Sequence, residues 1–153
     1  IVSLGTLEHM DDPLATLRVL KRKLNPGGGM IFTCPNWINP RGYVLMTLFY
    51  LFEAPITLAD IQYLSPLDFK VWAKKLSMDL EWRTFDKSRA HGPDLLLDFA
   101  KRIPNVLRDA NLPNSSKNIK SFLRWLEKQV ISFNHDTAYS GASALYHLRY
   151  PKK

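Results

Sequence analysis

The 153 residues include a single cysteine, Cys34, and one thiol cannot close an internal disulfide. No covalent staple frames the fold, which points to a reducing, cytoplasmic setting rather than a secreted one. Long hydrophobic runs are missing too. The longest apolar stretch, Tyr43 to Phe52, falls short of the about twenty residues that cross a bilayer. Four histidines, His9, His91, His135 and His147, stand at no metal-ligand spacing, and one cysteine builds no zinc motif, so no metal is expected from the sequence. No Gly-x-Ser-x-Gly elbow is present, and His135 beside Asp136 is a dipeptide rather than a catalytic pair. Repeats and low-complexity tracts are absent. The chain opens inside an apolar run, Ile1-Val2-Ser3-Leu4-Gly5, without Met or a polar leader, and this opening reads as a chain cut inside a domain.

What is present is an ordinary globular composition, 46% hydrophobic and 23% charged, with a length that suits one compact domain. Lys and Arg total 21 against 14 Asp and Glu, a net charge of +7. Most of that excess lies late: residues 1–76 carry 8 basic and 6 acidic groups, residues 77–153 carry 13 and 8. In the later half Lys101, Arg102, Arg108, Lys117, Lys120, Arg124 and Lys128 interleave with Phe99, Phe122 and Trp125. Such a pattern suits a nucleic-acid binder, but inward aromatics under solvated cations explain it better, and nucleic acid is not the expected partner.

Ile1 to Leu4 reads as a buried strand of a parallel sheet, ended by Gly5. Asp11, Asp12 and Pro13 supply helix-start signals, and Leu14, Leu17, Leu20 and Leu24 recur at helical steps. Asn25-Pro26-Gly27-Gly28-Gly29 stops that helix, and Met30 to Cys34 forms the next strand. Strand, helix and strand within residues 1–36 make a βαβ unit. Tyr43 to Phe52 is apolar on nearly every face: a helix packed in the core, a lid over an apolar substrate, or a surface touching lipid. Ser65-Pro66 starts a helix over Leu67 to Leu76, with Phe69, Trp72 and Leu76 on one stripe. Leu80 to Phe85 reads as a strand partly covered on both faces, and Ala144 to Tyr150 as another, with His147 packed inside it. Between them, His91 to Ala110 and Asn118 to Asn134 are expected to be helical, the first kinked or split at Pro104.

The sequence Ile1-Val2-Ser3-Leu4-Gly5-Thr6-Leu7-Glu8-His9, then Leu24-Asn25-Pro26-Gly27-Gly28-Gly29, then Phe32-Thr33-Cys34-Pro35-Asn36, resembles the class I S-adenosylmethionine-dependent methyltransferases. Within that family it looks most like the ubiquinone-biosynthesis methyltransferases and relatives acting on small molecules or glycans. The resemblance is close over residues 1–36 and holds by layout beyond them. It implies an α/β, Rossmann-like fold of seven strands, the last antiparallel, of which residues 1–153 would carry strands four to seven as one N-terminally truncated domain. Residues 90–143 would be a helical insertion before the last strand. The family's glycine-rich loop and its ribose-binding acid have no counterpart here, and Gly27-Gly28-Gly29 follows a helix, so it reads as a helix stop rather than a phosphate loop.

By resemblance, Leu4, Gly5 and Thr6 would lie beside S-adenosylmethionine, as expected for ligands outside the carboxyl ends of parallel strands. Gly5 either admits a close ligand or merely ends the strand. Asn36 and Trp37 would face the same crevice and contact substrate, with ordinary packing the alternative for Trp37. His9 is the candidate acid/base group; the alternative is a structural role for Glu8 and His9 at the head of the following helix. The implied activity is methyl transfer to a small-molecule or lipid-like acceptor, as part of a longer enzyme. The alternatives are a non-catalytic half-domain pairing through its exposed sheet edge, as in a homodimer, and the nucleic-acid binder above.

Overall fold

A computed structural model describes residues 1–133 and 135–151. The chain divides into two compact units: residues 1–36, 59–85 and 143–153 form the first, residues 37–58 and 86–142 the second. Among the described residues no helix is long and apolar enough to cross a membrane.

The first unit is a four-stranded open sheet with two helices on one face. Its strands are β1 (Val2–Leu4), β2 (Gly29–Pro35), β3 (Asp79–Phe85) and β4 (Ser143–Arg149), in the order β1-β2-β4-β3. β1 pairs with β2 in parallel, Ser3 opposite Phe32, while β4 runs antiparallel to both β2 and β3. The last strand is therefore the reversed one, inserted between two strands that share a direction. Helices α1 (Pro13–Lys21) and α3 (Pro66–Leu76) start where the caps predict: Asp12 accepts from the Ala15 amide at 2.9 Å, and Ser65 and Asp68 form a reciprocal capping box. The Lys21 ammonium donates to the Leu76 carbonyl and ties the two helix ends together.

Alternation decides the core. Met30, Phe32 and Cys34 of β2 and Ala144, Tyr146 and Leu148 of β4 turn one face toward Leu17 of α1 and Phe69, Ala73 and Leu76 of α3. Three expectations differ here. β1 is not buried: Val2 is 65% and Leu4 63% exposed, because β1 is the free end of the sheet order. β3 is covered on one face only, since Glu81, Arg83 and Phe85 alternate into solvent on the edge beyond β4. α1 opens at Pro13 with no acidic residue in its first turn; Glu8 and His9 belong to a separate 3-10 turn, Leu7–His9.

The second unit holds α2 (Pro40–Phe52), α4 (Lys87–His91), α5 (Pro93–Asp109) and α6 (Ser116–Leu126), the last continuing into a π-helical turn, Glu127–Ile131. The expected end of that helix at Asn134 lies outside the described residues. α5 runs undivided through Pro104, and the break falls at Gly92, where α4 ends and α5 begins. α2 is amply apolar yet shallowly buried: Arg41, Gly42 and Leu45 face inward, while Tyr43, Tyr50, Leu51 and Phe52 are exposed. The core-packing expectation for Tyr43 to Phe52 thus fails for most of the segment, because a helix apolar on every side can bury only the face its neighbours cover. Val44 and Leu48 join Ile103, Leu107, Ile119 and Phe122 around a groove of about 230 Å³ within this unit.

Inside the second unit the buried Arg41 guanidinium donates to Asp98 at 2.9 Å, and Arg102 donates to the same carboxylate and, at 2.8 Å, to the Ile56 carbonyl. Burial by itself would raise the Asp98 carboxyl; the hydrogen bonds from Arg102 and the charge of Arg41 hold it below the ordinary carboxylate range.

Candidate functional site

The site expected at the carboxyl end of β1 begins with Gly5, whose φ of +60° lies in the left-handed region that glycine enters without strain. This turns the chain sharply off the sheet. The Gly5 amide donates to the Thr33 carbonyl at 3.0 Å and to the Thr33 hydroxyl at 3.1 Å, which fixes the turn against β2. A side chain at Gly5 would meet only a Glu8 carboxylate oxygen, at 3.7 Å, so the space above it is open. Leu4 is exposed beside it, and the Thr6 hydroxyl pairs with that of Ser3. Exposed Leu4 and Gly5 and half-buried Thr6 therefore form one lip at the ends of a parallel strand pair.

His9 follows on the same turn with its ring exposed. Its Nδ1 lies 2.8 Å from the Ala59 carbonyl and 3.6 Å from Asp60 Oδ1. The carbonyl can only accept, so Nδ1 carries the proton and Nε2 is left as the basic nitrogen. Glu8, by contrast, is 4% exposed; its backbone carbonyl accepts from the amides of Ile61 and Gln62 at 3.0 and 2.9 Å. These bonds clamp the segment 59–62 onto the turn 8–9, and one ligand atom from each of Glu8, His9 and Asp60 comes within 4.8 Å of the others. Sequence reasoning singled out the first two and missed Asp60, which no spacing rule links to residues 51 and 52 positions earlier.

Cys34 is the penultimate residue of β2, beside Glu8 of this turn. Its thiol is pushed up by burial, reinforced by the nearby charge and hydrogen bond of Glu8, so it stays protonated and unreactive. Asn36, in the first unit, is 1% exposed, and Trp37, in the second, is 8% exposed. The Trp37 ring carries the Arg41 guanidinium 5.8 Å from its centroid, a packing role inside its own unit.

The second unit assembles a serine, a histidine and an aspartate of its own, and their geometry rules out a triad. Ser140 Oγ and Asp136 Oδ1 both face the same nitrogen of His91, Nε2, at 3.3 and 3.9 Å. A relay needs the acid on the other ring nitrogen. The Ser140 hydroxyl is engaged by Thr137, accepting from its amide at 3.0 Å. The cations of the late helices are mostly solvated as expected, and Phe99 packs inward, but Trp125 is 53% exposed.

No family model and no curated protein matches this chain. Among solved structures, the crystal structure of a cyclopropane-fatty-acyl-phospholipid synthase-like protein from Lactobacillus casei ATCC 334 aligns with a TM-score of 0.49 and 15% sequence identity, over 97% of this chain and 54% of that one. The chain thus spans about half the length of that structure.

Proposed function

We propose that these residues form the later part of an S-adenosylmethionine-dependent methyltransferase acting on a small-molecule or lipid-like acceptor, the glycine-rich loop of the cofactor site belonging to another stretch of a longer chain. The observation that carries this reading is the open turn Leu4-Gly5-Thr6, at the carboxyl ends of a parallel pair in a mixed sheet whose last strand alone is reversed. It joins the ordered motifs of residues 1–36, which resemble that family. When bound, the cofactor supplies the methyl group on a sulfonium centre. This chain's residues would position it: Leu4 offers an apolar wall, and Gly5 leaves room for close approach. In-line displacement depends chiefly on alignment of donor and acceptor. His9 Nε2, on an exposed ring oriented by Ala59, would accept or steer the acceptor's proton.

Ultraviolet cross-linking with radiolabelled S-adenosylmethionine tests this reading. Label is expected on the tryptic peptide Ile1–Arg18, which contains the turn, and label confined to residues 86–142 would overturn it.

A second reading rests on the exposed apolar edge. Among the described residues β1 ends the sheet order and exposes Val2 and Leu4, the pattern of an edge that pairs with another chain. Here the protein would be a half-domain module joining a second copy edge to edge. Sedimentation equilibrium decides: a dimer dispersed by Val2→Lys supports pairing, and a monomer at all concentrations removes it.

A further inference from the structure

One face of α5 carries charge that its own pairing leaves unbalanced. Asp98, Lys101, Arg102, Asn105, Arg108 and Asp109 recur at helical steps and line a cleft of about 340 Å³ inside the second unit, and residues 55–58 supply most of the remaining lining. Arg41 and Arg102 share the single carboxylate of Asp98, and Arg108 is paired with Asp109 at 2.9 Å. The Lys101 ammonium has no anionic partner among the described residues. Four cations thus meet two carboxylates, and the cleft keeps an excess of two positive charges.

The Arg102 guanidinium is fixed in advance. It is held by Asp98 and, at 2.8 Å, by the Ile56 carbonyl, bonds that use one hydrogen on each terminal nitrogen. The second hydrogen on each is uncommitted among the described residues, and a donor already held in place loses little freedom on binding. Leu58, which lines the same cleft, is 98% exposed. Positive charge and an uncovered apolar wall therefore meet in one cleft.

We propose that this cleft binds a small organic phosphate monoester. A phosphoryl group carries between about −1.5 and −2 charges at pH 7, which matches the excess. Its oxygens accept in pairs from a guanidinium, and the Lys101 ammonium adds a point charge. The organic body covers Leu58 and Pro55, which a bare ion leaves in water. The volume lies at the small end of ligand pockets, about 300–1,000 Å³, and suits a body of about one ring.

The site stands independently of the methyl-transfer reading, since none of its residues belongs to the turn after β1. In isothermal titration of the whole chain with phenyl phosphate, one equivalent is expected to bind. Inorganic phosphate, which lacks the ring, and phenyl sulfate, which lacks one charge, should each bind about tenfold less tightly. Lys101→Gln should weaken phenyl phosphate about tenfold with the far-ultraviolet circular dichroism unchanged. Lys120→Gln, which removes the same charge from an exposed position of α6, should leave binding unaltered. Equal weakening by the two variants is general attraction to a basic chain and overturns the proposal. Phenyl sulfate bound as tightly as phenyl phosphate, or no saturable binding at millimolar phenyl phosphate, overturns it too.

Discussion

The Phe69 ring lies flat on that of Tyr146, centroids 3.6 Å apart and planes within 5°. This contact locks α3 to the central strand β4, and Trp82 of β3 flanks Tyr146 on the same face at 6.1 Å. The tyrosine hydroxyl contributes nothing to it: the oxygen is buried without a partner, and burial pushes its ionisation upward, so it stays neutral. Tyr146→Phe should keep the stack and remove an unsatisfied polar group, leaving stability unchanged or raised by about 1 kcal/mol. Phe69→Ala empties the same contact and should cost about 3–5 kcal/mol. Chemical denaturation of both variants checks the contrast.

At Gly42 the constraint is steric. A Cβ there would stand 2.0 Å from the Trp37 carbonyl oxygen, which is backbone and cannot swing aside. The same residue donates its amide to the Asn39 cap at 2.8 Å, so moving it also disturbs the start of α2. Gly42→Ala should therefore lower stability by about 1–3 kcal/mol despite alanine's better helix propensity. A thermal melt followed by the near-ultraviolet signal of the tryptophans reads the effect.

Acid should weaken the second unit in two stages. Burial lowers the His91 imidazole below its ordinary value, outweighing the attraction of Asp136. The unfolded chain then binds the extra proton first, so the stability from neutral His91 is complete above about pH 6.5 and declines as pH falls below it. Asp98, held low by Arg102 and Arg41, contributes stability that is complete above about pH 4 and lost below it. Urea midpoints measured from pH 8 to pH 3 should fall in both windows. His91→Gln should flatten the upper one alone. Asp98→Asn should remove the lower one and cost about 2 kcal/mol at neutral pH, because the Arg41 guanidinium then loses its charged hydrogen-bond acceptor.

Much of the first unit was legible in the sequence because its signals are local. Asp12-Pro13 and Ser65-Pro66 mark helix starts through caps that bond three residues onward, and Met30, Phe32 and Cys34 alternate as a strand facing one core. The reversed final strand came from resemblance, since periodicity carries no direction. What failed was set by neighbours distant in sequence. Exposure of Val2 and Leu4 depends on β1 ending the sheet, and exposure of Tyr50 and Leu51 on how much of α2 its own unit covers. At the site the turn of Leu4, Gly5 and Thr6 was legible, since only glycine enters φ +60° freely and it follows a strand. Asp60 was not, because backbone bonds across some fifty residues bring it to His9.

On the proposed methyl-transfer reading, the turn after β1 meets S-adenosylmethionine. Titrating the 15N-labelled chain with S-adenosylhomocysteine and following its amide resonances tests this most directly, because weak binding, expected without a glycine-rich loop, still shifts the resonances it touches. The account predicts graded, saturable shifts centred on Leu4, Gly5 and Thr6 and lost in Gly5→Val. Shifts confined to the second unit, tight binding by these residues alone, or no shift at any ligand concentration would contradict it.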